Sequence, residues 1–324
     1  MVHAIFVRQA GGPEKLAWEE VEVGDPASGQ VRLKQTAIGL NFIDVYHRSG
    51  LYPQKTPFIP GVEAAGVIES VGLDVEGLKP GDRVAYAGPI GGYAQVRLIA
   101  ADRLVKLPDD INDEQAAAMM LQGMTVDMLI RSVWPLHAGD TILIHAAAGG
   151  VGLIMCQWAA ALGATVIGAV SSDEKAELAR ANGCHHAIVY SKQDFVAEVS
   201  RLTDGKKLPV VYDSVGRDTF VRSLDCLQKR GLMVSFGQAS GPVEPFAPGL
   251  LAQKGSLYLT RPTLFDYIST REELDRSAAS LFDAVRTGKV KIDIGQRFPL
   301  SEAAEAHRAL ESRNTVGSTI LTVD

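Results

Sequence analysis

The sequence predicts an α/β protein in which a doubly wound parallel sheet is inserted into a β-rich domain. In residues 141–162 an apolar run of strand length passes through a turn of small residues into a helical pattern, which Gly163 closes. Strand and helix patterns then alternate through residue 260, giving six strands with crossover helices. The residues before and after this block form further strands and helices. One domain therefore both begins and ends the chain.

The length and the charge limit the classes of function. The 324 residues are 46% hydrophobic and 22% charged, which indicates two globular domains, predicted at residues 1–125 with 263–324 and at residues 126–262. The net charge of −6 offers no basic field to nucleic acid or to an anionic membrane. No signal-peptide pattern and no bilayer-length apolar span is present. We therefore expect a cytoplasmic protein that binds neither membrane nor nucleic acid.

The outer domain is predicted from short alternating strands and from helix caps. Its strands are expected at residues 4–7, 30–38, 64–71, 83–86, 91–99, 289–292 and 318–323, with a helical pattern beginning near Asp113. Thr270 and Glu273 have the spacing of a capping box, which predicts a helix that begins there. A last helix is expected at residues 301–311.

The inserted domain contains the elements of a nucleotide-binding fold. Its strands are predicted at residues 141–144, 165–170, 187–190, 209–213, 232–237 and 256–260. Ser171 and Glu174 fit a capping box for the helix that Gly183 closes, and further helices are expected at residues 194–203 and 219–227. This arrangement is that of a Rossmann domain.

The small-residue turn is the candidate phosphate site. Compared with G-x-G-x-x-G, residues 147–152 have Ala147 in the place of the first glycine. A tight turn without a ligand is the alternative, but the following strand places the turn inside a βαβ unit, which favours a nucleotide. The residues expected to hold the pyrophosphate are Ala148, Gly149, Gly150 and Val151.

The end of the second predicted strand favours NADPH over NADH. NAD sites usually carry an acidic residue there for the ribose hydroxyls, but this strand ends in Val170-Ser171. Ser171 does not repel a 2′-phosphate, and Lys175 could pair with it, whereas Asp173 is discordant. In the alternative interpretation, Ser171 is only a helix cap and Lys175 only a surface lysine.

Several motifs together resemble the medium-chain dehydrogenase/reductase superfamily, and within it the zinc-free quinone oxidoreductases of the zeta-crystallin type. The motifs are residues 39–44 (GLNFID), 60–66 (PGVEAAG), 79–84 (KPGDRV), 145–152 (HAAAGGVG), 212–216 (YDSVG), 232–237 (LMVSFG), 253–257 (QKGSL) and 310–313 (LESR). The resemblance covers essentially the whole chain. It implies a GroES-like catalytic domain around the Rossmann domain, NADPH as the cofactor, a quinone or related electrophile as the acceptor, and a homodimer.

The chain lacks the metal ligands of the zinc-dependent relatives. Where those enzymes carry a cysteine, residues 40–44 contain none, and where they carry Gly-His-Glu this chain has Gly61-Val62-Glu63. The three cysteines lie at Cys156, Cys184 and Cys226, so the structural-zinc lobe has no ligands either. We therefore expect no metal. Reducing an electron-poor acceptor requires only that it be positioned, with a hydrogen-bond donor near its carbonyl.

The resemblance implies the remaining site residues. Asn41 resembles the residue beside the nicotinamide and the substrate carbonyl, and its alternative is a loop asparagine that bonds its own backbone. Tyr46 and Tyr52, expected on the same loop as Asn41, could stack on a quinone or donate a hydrogen bond; interdomain packing is the alternative. Further cofactor contacts are expected from Thr125 at the start of a helix, Tyr190, Ser214, Phe236, Gly237 and Arg313.

Three functions remain open. The preferred one is NADPH:quinone oxidoreduction without zinc. The second is NADPH-dependent reduction of enones, 2-alkenals or enoyl thioesters, in which Tyr46 or Tyr52 would donate the proton. The third is a structural or RNA-binding crystallin-like role for an NADPH-binding protein, against which the acidic charge argues. The physiological acceptor and the choice between one-electron and two-electron reduction stay open.

Overall fold

The computed structural model describes residues 1–323. It divides into two compact units, of which unit 1 comprises Met1–Met124, Ile268–Arg286 and the residues from Ile292 onward. Unit 2 comprises Thr125–Tyr267 and Thr287–Lys291. The predicted fold class is confirmed, since a parallel Rossmann sheet and a GroES-like domain are both present. Within the described residues, no helix has the length and apolar character needed to cross a membrane.

Residues 1–323 form fifteen β-strands and eleven α-helices. The strands are β1 (Val2–Val7), β2 (Leu16–Val21), β3 (Gln30–Leu40), β4 (Glu63–Val71), β5 (Arg83–Ala87), β6 (Val96–Ala100), β7 (Val105–Lys106), β8 (Thr141–His145), β9 (Thr165–Val170), β10 (His186–Val189), β11 (Leu208–Asp213), β12 (Leu227–Ser235), β13 (Tyr258–Thr260), β14 (Ile294–Pro299) and β15 (Ser318–Thr322). The α-helices are α1 (Phe42–Ser49), α2 (Asp113–Ala117), α3 (Met120–Asp127), α4 (Gly150–Ala161), α5 (Asp173–Ala181), α6 (Phe195–Leu202), α7 (Phe220–Ser223), α8 (Gly249–Gln253), α9 (Leu264–Tyr267), α10 (Arg271–Arg286) and α11 (Ala303–Glu311).

Unit 2 is built on a six-stranded parallel sheet in the order β10-β9-β8-β11-β12-β13. This order is that of a doubly wound dinucleotide-binding sheet, in which strand order reverses beside the first strand. The central strands are continuous apolar runs because helices cover both faces of such a sheet. Leu143, Ile167 and Val211 are fully buried in its core beside Phe195 of α6. All parallel strands end at one edge, where β8 and β11 adjoin at the reversal.

Unit 1 contains a seven-stranded sheet and a separate hairpin. The path is β14-β15-β3-β4-β5-β7, with β6 paired to β3, and β1 pairs with β2. Gly66 lies in β4 where a Cβ would approach the Lys34 carbonyl oxygen of β3 to 2.2 Å, so the strands pack more closely there than a side chain would permit. Val31, Leu33 and Ile68 belong to the apolar core of this unit.

Two strands predicted for the outer domain differ from the structure. The strand expected at residues 289–292 is absent, and β14 begins at Ile294 instead. The backbone N–H of Lys291 donates to the Gln157 side chain over 2.8 Å, and its carbonyl accepts from the same side chain over 3.0 Å. A side chain therefore uses the backbone groups that a strand ladder would need. The strand expected at residues 91–99 begins only at Val96, because Gly91 and Gly92 both bond the Gly61 carbonyl in a turn.

Candidate functional site

The turn between β8 and α4 gathers backbone N–H groups at the edge where the parallel strands end. Ala146 follows β8 with a φ of 54°, and Gly149 is the N-cap of α4 without a side-chain cap. A Cβ on Gly152 would lie 2.3 Å from the Ala146 carbonyl oxygen, so only glycine lets the helix pass this close to the turn. The first N–H groups of a helix carry partial positive charge, which suits a phosphate. The predicted residues at this turn are Ala148, Gly149, Gly150 and Val151.

The ends of β9 and β10 bring together the residues predicted to recognise a 2′-phosphate. The Tyr190 N–H donates to the Val170 carbonyl over 3.0 Å, and the Ser191 hydroxyl donates to the Ser171 carbonyl over 3.1 Å. Tyr190 is 41% exposed beside this junction. Lys175 lies in the first turn of α5, directly after it. Ser171 and Tyr190 thus follow neighbouring strand ends, and Lys175 lies in the first turn of the helix that comes next.

The helix cap predicted at Ser171 lies one residue further along the chain. Ser172 is the N-cap of α5, and its hydroxyl oxygen accepts from the Lys175 backbone N–H over 3.3 Å. A hydrogen bond with Ser172 also lowers the pKa of Glu174. Ser171 stays outside the helix because β9 continues to Val170 and the Ser171 carbonyl is bonded to the segment after β10. The prediction was wrong because two consecutive serines precede the helix.

Asp173, the residue discordant with NADPH, is paired in the structure. Its carboxylate forms an ion pair with Lys192, and both side chains are exposed. The ammonium group of Lys192, paired with the Asp173 carboxylate, offsets part of the repulsion that Asp173 would exert on a phosphate. Lys192 could not be predicted from the sequence, because it follows β10 whereas Asp173 begins α5, and no local pattern links the two residues.

The carboxyl end of β11 is fixed by the buried side chain of Asp213. Its Oδ1 accepts from the backbone N–H of Val215 over 2.8 Å and from that of Gly216 over 3.0 Å. The Thr219 hydroxyl donates to Oδ2 over 2.7 Å. These bonds hold the turn that contains the predicted residue Ser214, at the edge where such sheets bind ligands.

The end of β12 packs tightly against this turn. The Phe236 N–H donates to the Asp213 carbonyl over 2.9 Å. A Cβ on Gly237 would lie 2.6 Å from the Ser214 carbonyl oxygen, which accounts for the glycine. Ser214, Phe236 and Gly237 are therefore brought together, as the sequence predicted for residues that share one strand edge.

Thr125 and Arg313 are the other two predicted cofactor contacts. Thr125 was expected to start a helix, but it lies near the end of α3, which begins at Met120. Gly123 does not interrupt this helix, because its N–H donates to the Met119 carbonyl over 2.6 Å. Arg313 follows α11 in unit 1, where it is exposed and has a φ of 61°. Thr125 therefore belongs to unit 2 and Arg313 to unit 1.

Asn41 lies between β3 and α1 in unit 1, and its side-chain amide has two hydrogen-bond partners. Nδ2 donates to Glu63 Oε2 over 2.7 Å, and Oδ1 accepts from Gln122 Nε2 over 3.1 Å. The Asn41 backbone N–H donates to Asp44 Oδ2 over 2.9 Å, as in a capping box. Asn41 is 7% exposed. Its amide is thus held in a fixed plane by side chains that lie far away in the sequence.

Two carboxyl groups are completely buried beside Asn41. Burial raises the pKa of Glu63 to about 8, although hydrogen bonds from Asn41 and Leu121 oppose the shift. Burial raises the pKa of Asp44 to about 7, opposed by hydrogen bonds from Asn41 and Tyr93. The negative charge of Asp44 also raises the pKa of Glu63. Groups that titrate near neutrality are common at functional sites.

A second buried network continues from Asp44. The Tyr93 hydroxyl lies 3.0 Å from Asp44 Oδ2 and 3.0 Å from His307 Nε2. Arg48 lies 3.0 Å from His307 Nδ1 and pairs with Glu311 over 2.8 Å. Because arginine only donates, His307 Nδ1 accepts, and its proton is on Nε2. Burial, together with the charge of Arg48, lowers the pKa of His307 to about 3, so this imidazole stays neutral.

Tyr46 and Tyr52 lie next to each other. Their ring centroids are 5.2 Å apart in an edge-on arrangement, and the Tyr52 N–H donates to the Tyr46 carbonyl over 3.0 Å. Tyr46 was expected on a loop but lies on α1, which the capping interaction of Asn41 with Asp44 begins. Tyr46 is 8% exposed and Tyr52 is half-buried.

The missed residues of unit 1 are polar groups that only the fold brings to Asn41. They are Glu63, Gln122, Tyr93 and His307. Glu63 had one sequence signal, its place in the motif Gly61-Val62-Glu63. Within residues 1–323, no group of three or more His, Cys, Asp or Glu side chains is placed to hold a metal ion. Glu63 instead accepts from Asn41 and from the Leu121 backbone.

Known families match both units. The model of the alcohol dehydrogenase GroES-like domain matches residues 27–109, and the model described as zinc-binding dehydrogenase matches residues 150–280. A quinone oxidoreductase of Pseudomonas aeruginosa is 54% identical over 315 residues, which are 96% of this chain and 96% of the relative. The chain belongs to the quinone oxidoreductase family of the medium-chain dehydrogenases/reductases.

Other members of the family include an enzyme with a different named activity. A 2-haloacrylate reductase of a Burkholderia species is 48% identical, over 99% of both chains. Among solved structures, the Escherichia coli quinone oxidoreductase complexed with NADPH matches with a TM-score of 0.97 and 49% identity, over 99% of both chains. The quinone oxidoreductase family thus accounts for the GroES-like sheet of unit 1 and the Rossmann sheet of unit 2.

Proposed function

We propose that this protein is a zinc-independent NADPH:quinone oxidoreductase. The observation that carries the proposal is the 54% identity, across nearly the full length, to a protein named quinone oxidoreductase. Within such a reaction the enzyme has to bind the dinucleotide, orient the acceptor and exclude water. The residues of both units have the chemistry for these tasks.

The strand edge of unit 2 fits a dinucleotide. The α4 N-terminus offers uncapped backbone N–H groups to the pyrophosphate, in a cradle that a Cβ at Gly152 would fill. The turns at Ser214 and Gly237 would hold the backbone close to the remaining part of the cofactor. NADPH, when bound, supplies the hydride for the reduction.

The specificity for NADPH is assigned to the end of β9. Ser171 and Tyr190 offer polar groups, and Lys175 offers positive charge, without a carboxylate at the strand end to bind a 2′-hydroxyl. Lys192 pairs with Asp173 and so reduces the negative potential there. Thr125 and Arg313 stay as further proposed contacts.

The acceptor is assigned to the residues at the start of α1. Asn41 donates one amide proton to Glu63, and its Nδ2 carries a second proton for an acceptor carbonyl. The rings of Tyr46 and Tyr52 provide aromatic surface for a quinone. No side chain has to become a strong base, because a quinone accepts electrons without prior activation.

Steady-state oxidation of NADPH and NADH with 1,4-benzoquinone, with and without a chelator, tests the proposal. We expect turnover that prefers NADPH and that the chelator does not change. Turnover that the chelator abolishes would contradict the zinc-independent mechanism. No turnover despite tight NADPH binding would contradict the assigned activity.

Reduction of an activated C=C bond is the second candidate, because the 48% identical relative is named 2-haloacrylate reductase. This reaction needs a proton donor for the carbanion, and Tyr46 or Tyr52 is the nearest phenol to Asn41 along the chain. Relative kcat/KM values for benzoquinone and for 2-chloroacrylate separate the two candidates. Replacing Tyr52 by Phe should impair only the acrylate reaction.

We also propose a homodimer in the cytoplasm. The sheet of unit 2 ends at β13, whose outer edge has no strand partner in the described residues. Tyr258 is 61% exposed and Leu259 is 37% exposed there. An exposed apolar edge is protected when a second copy pairs with it. Sedimentation equilibrium should give a dimer, and Leu259→Lys a monomer; a monomeric parent protein would refute the assignment.

A further inference from the structure

Four buried side chains of unit 1 form one continuous hydrogen-bonded chain that ends at a backbone carbonyl. Glu63 Oε2 lies 2.7 Å from Asn41 Nδ2, and Asn41 Oδ1 lies 3.1 Å from Gln122 Nε2. Gln122 Oε1 lies 2.8 Å from the Ser318 hydroxyl, which lies 2.9 Å from the Ala118 carbonyl oxygen. The four side-chain residues are between 0% and 8% exposed. Water therefore does not compete for these bonds.

The position of the Ser318 hydroxyl permits two directions of donation along the hydrogen-bonded chain. It has one proton but lies within hydrogen-bond distance of two oxygens, Gln122 Oε1 and Ala118 O. When the Ser318 hydroxyl donates to Gln122, every bond points towards Glu63. Ionised Glu63 suits this direction, because it accepts from Asn41 and has no O–H of its own that would need an acceptor. When the Ser318 hydroxyl donates to the Ala118 carbonyl instead, its oxygen is free to accept. It then accepts from the NH2 group of a Gln122 amide whose oxygen and nitrogen have exchanged places.

The second direction also links the four side chains in one continuous series of hydrogen bonds. A turned Gln122 amide presents its oxygen to Asn41, so the Asn41 amide turns and presents its own oxygen to Glu63. That contact needs a proton on Glu63 Oε2. Glu63 Oε1 already accepts from the Leu121 N–H over 2.7 Å, which leaves Oε2 as the protonated atom. Each protonation state of Glu63 therefore has its own continuous arrangement, and the turned Asn41 amide gives up only the contact of its oxygen with the Asp44 N–H in the capping box.

We infer that Glu63 is a positioning residue whose protonation sets the direction of this chain, and with it the group that Asn41 presents to a ligand. With Glu63 ionised, the atom of Asn41 beside it is nitrogen, which keeps a second N–H to donate. With Glu63 protonated, the same position is an oxygen, which only accepts. The consequence for catalysis rests on the proposed function, in which Asn41 donates to the acceptor carbonyl.

The surroundings of Glu63 place its change of protonation close to neutral pH. Burial raises its pKa to about 8, and the charge of Asp44 on α1 acts in the same direction. The other titratable groups that face it are Tyr86 of β5 and Tyr93 of the following turn, both with pKa values raised by burial. Two cations act on these tyrosines. Arg97 bonds the Tyr86 hydroxyl, and the charge of Arg48 lowers the pKa of Tyr93.

The variant Glu63→Gln fixes one direction of the chain. Its oxygen has to remain at the Leu121 N–H, so its NH2 group faces Asn41 and can only donate, as protonated Glu63 does. We expect kcat/KM for benzoquinone in the parent protein to rise by about tenfold as Glu63 ionises, the worth of one donated hydrogen bond. Glu63→Gln should stay at the low value at every pH. The control Glu114→Gln changes an exposed ion pair with Arg297 and should keep the parent profile.

If kcat/KM of Glu63→Gln still rises with pH as in the parent protein, the inference is overturned. It is also overturned if kcat/KM of this variant stays at the high value at every pH. A second measurement reads the direction without catalysis. Side-chain amide NMR of ¹⁵N-labelled Asn and Gln, with ¹³C-labelled Glu carboxyls, follows Asn41, Gln122 and Glu63 in the parent protein through the same pH range. We expect the three signals to change with one common midpoint.

The two measurements separate this inference from the proposed function. A common NMR midpoint without a kinetic step would leave the switch in place and contradict the contact of Asn41 with the acceptor. Amide signals that do not change while the Glu63 carboxyl titrates would overturn the switch. The NMR experiment also decides the question if Glu63→Gln fails to fold.

Discussion

The two units build their candidate sites from different materials. The strand edge of unit 2 uses backbone N–H groups, small residues and close approaches such as that of Gly152 to Ala146. The acceptor side of unit 1 uses buried polar side chains that come from α1, β4, α3 and β15. The first site depends on local chain geometry, and the second depends on the complete tertiary structure.

This difference has a chemical consequence. Backbone N–H groups do not titrate, so phosphate binding at the α4 N-terminus should depend little on pH apart from the ionisation of the phosphate itself. Carboxyls such as Glu63 and Asp44 titrate near neutrality because burial raises their pKa values. Under the proposed assignments, acceptor binding by unit 1 should therefore respond to pH while cofactor binding by unit 2 stays nearly constant.

Replacing Gly152 by Ala tests the backbone-built site and should have the largest effect. The added Cβ would meet the Ala146 carbonyl at 2.3 Å and push α4 away from the turn. We expect the Kd for NADPH, measured by fluorescence titration, to rise about a hundredfold, equivalent to about 2.7 kcal/mol. Gly249→Ala is the control, since nothing lies within 4 Å of the new Cβ. Unchanged affinity in Gly152→Ala would show that the turn does not hold the pyrophosphate.

Replacing His307 by Ala tests the side-chain-built site through stability. The change removes the buried imidazole that bonds both Arg48 and Tyr93, which keep only Glu311 and Asp44 as side-chain partners, so the free energy of unfolding should fall by about 2 kcal/mol. The exposed His137→Ala should change it by less than about 0.5 kcal/mol. Urea unfolding measures both. Equal, small losses would mean that the network adds nothing to stability.

The stability difference between the parent protein and His307→Ala should depend on pH. The pKa of His307 is lowered to about 3, whereas the unfolded chain takes up the proton near pH 6.5. Stability from a neutral His307 is therefore present above pH 6.5 and is lost as the pH falls towards 3. We expect the difference between the parent protein and His307→Ala to narrow over this range in urea unfolding. A difference that widens with acid would contradict the neutral tautomer.

Replacing Lys175 by Ala sharpens the assignment of the phosphate site. We expect affinity for NADPH to fall about tenfold and affinity for NADH to stay the same, since only NADPH carries the 2′-phosphate. Titration of both nucleotides measures this. Equal losses for the two cofactors would contradict a phosphate contact and leave Lys175 with a structural role in α5.

Replacing Lys192 by Ala should have the smallest effect. Removing an exposed partner of Asp173 restores repulsion towards the phosphate, which should weaken NADPH binding by about threefold at low salt. The loss should disappear at high ionic strength because both groups are exposed. The exposed Lys206→Ala serves as the control. An effect on NADH of the same size would contradict the proposed role of the ion pair.

The sequence predicted best what is local. The six strands of unit 2 and the small-residue turn follow from short patterns, and the NADPH-bound relative agrees with the predicted cofactor. Boundaries failed where a distant side chain intervened, as Gln157 does at Lys291, or where two serines competed for one cap. The partners of Asn41 could not be predicted, because Gln122 and Glu63 reach it only after β3, β4 and α3 have packed.

The position of β15 in its sheet has a consequence for synthesis of the chain. β15 lies between β14 and β3, and Leu40 pairs with Thr319. During translation, all strands of unit 2 leave the ribosome before β15, so unit 2 can complete its sheet while β3 still has an open edge. That edge attracts other chains until the last strand arrives. A nascent chain stalled before residue 318 should therefore bind holdase chaperones through unit 1 while unit 2 already resists protease.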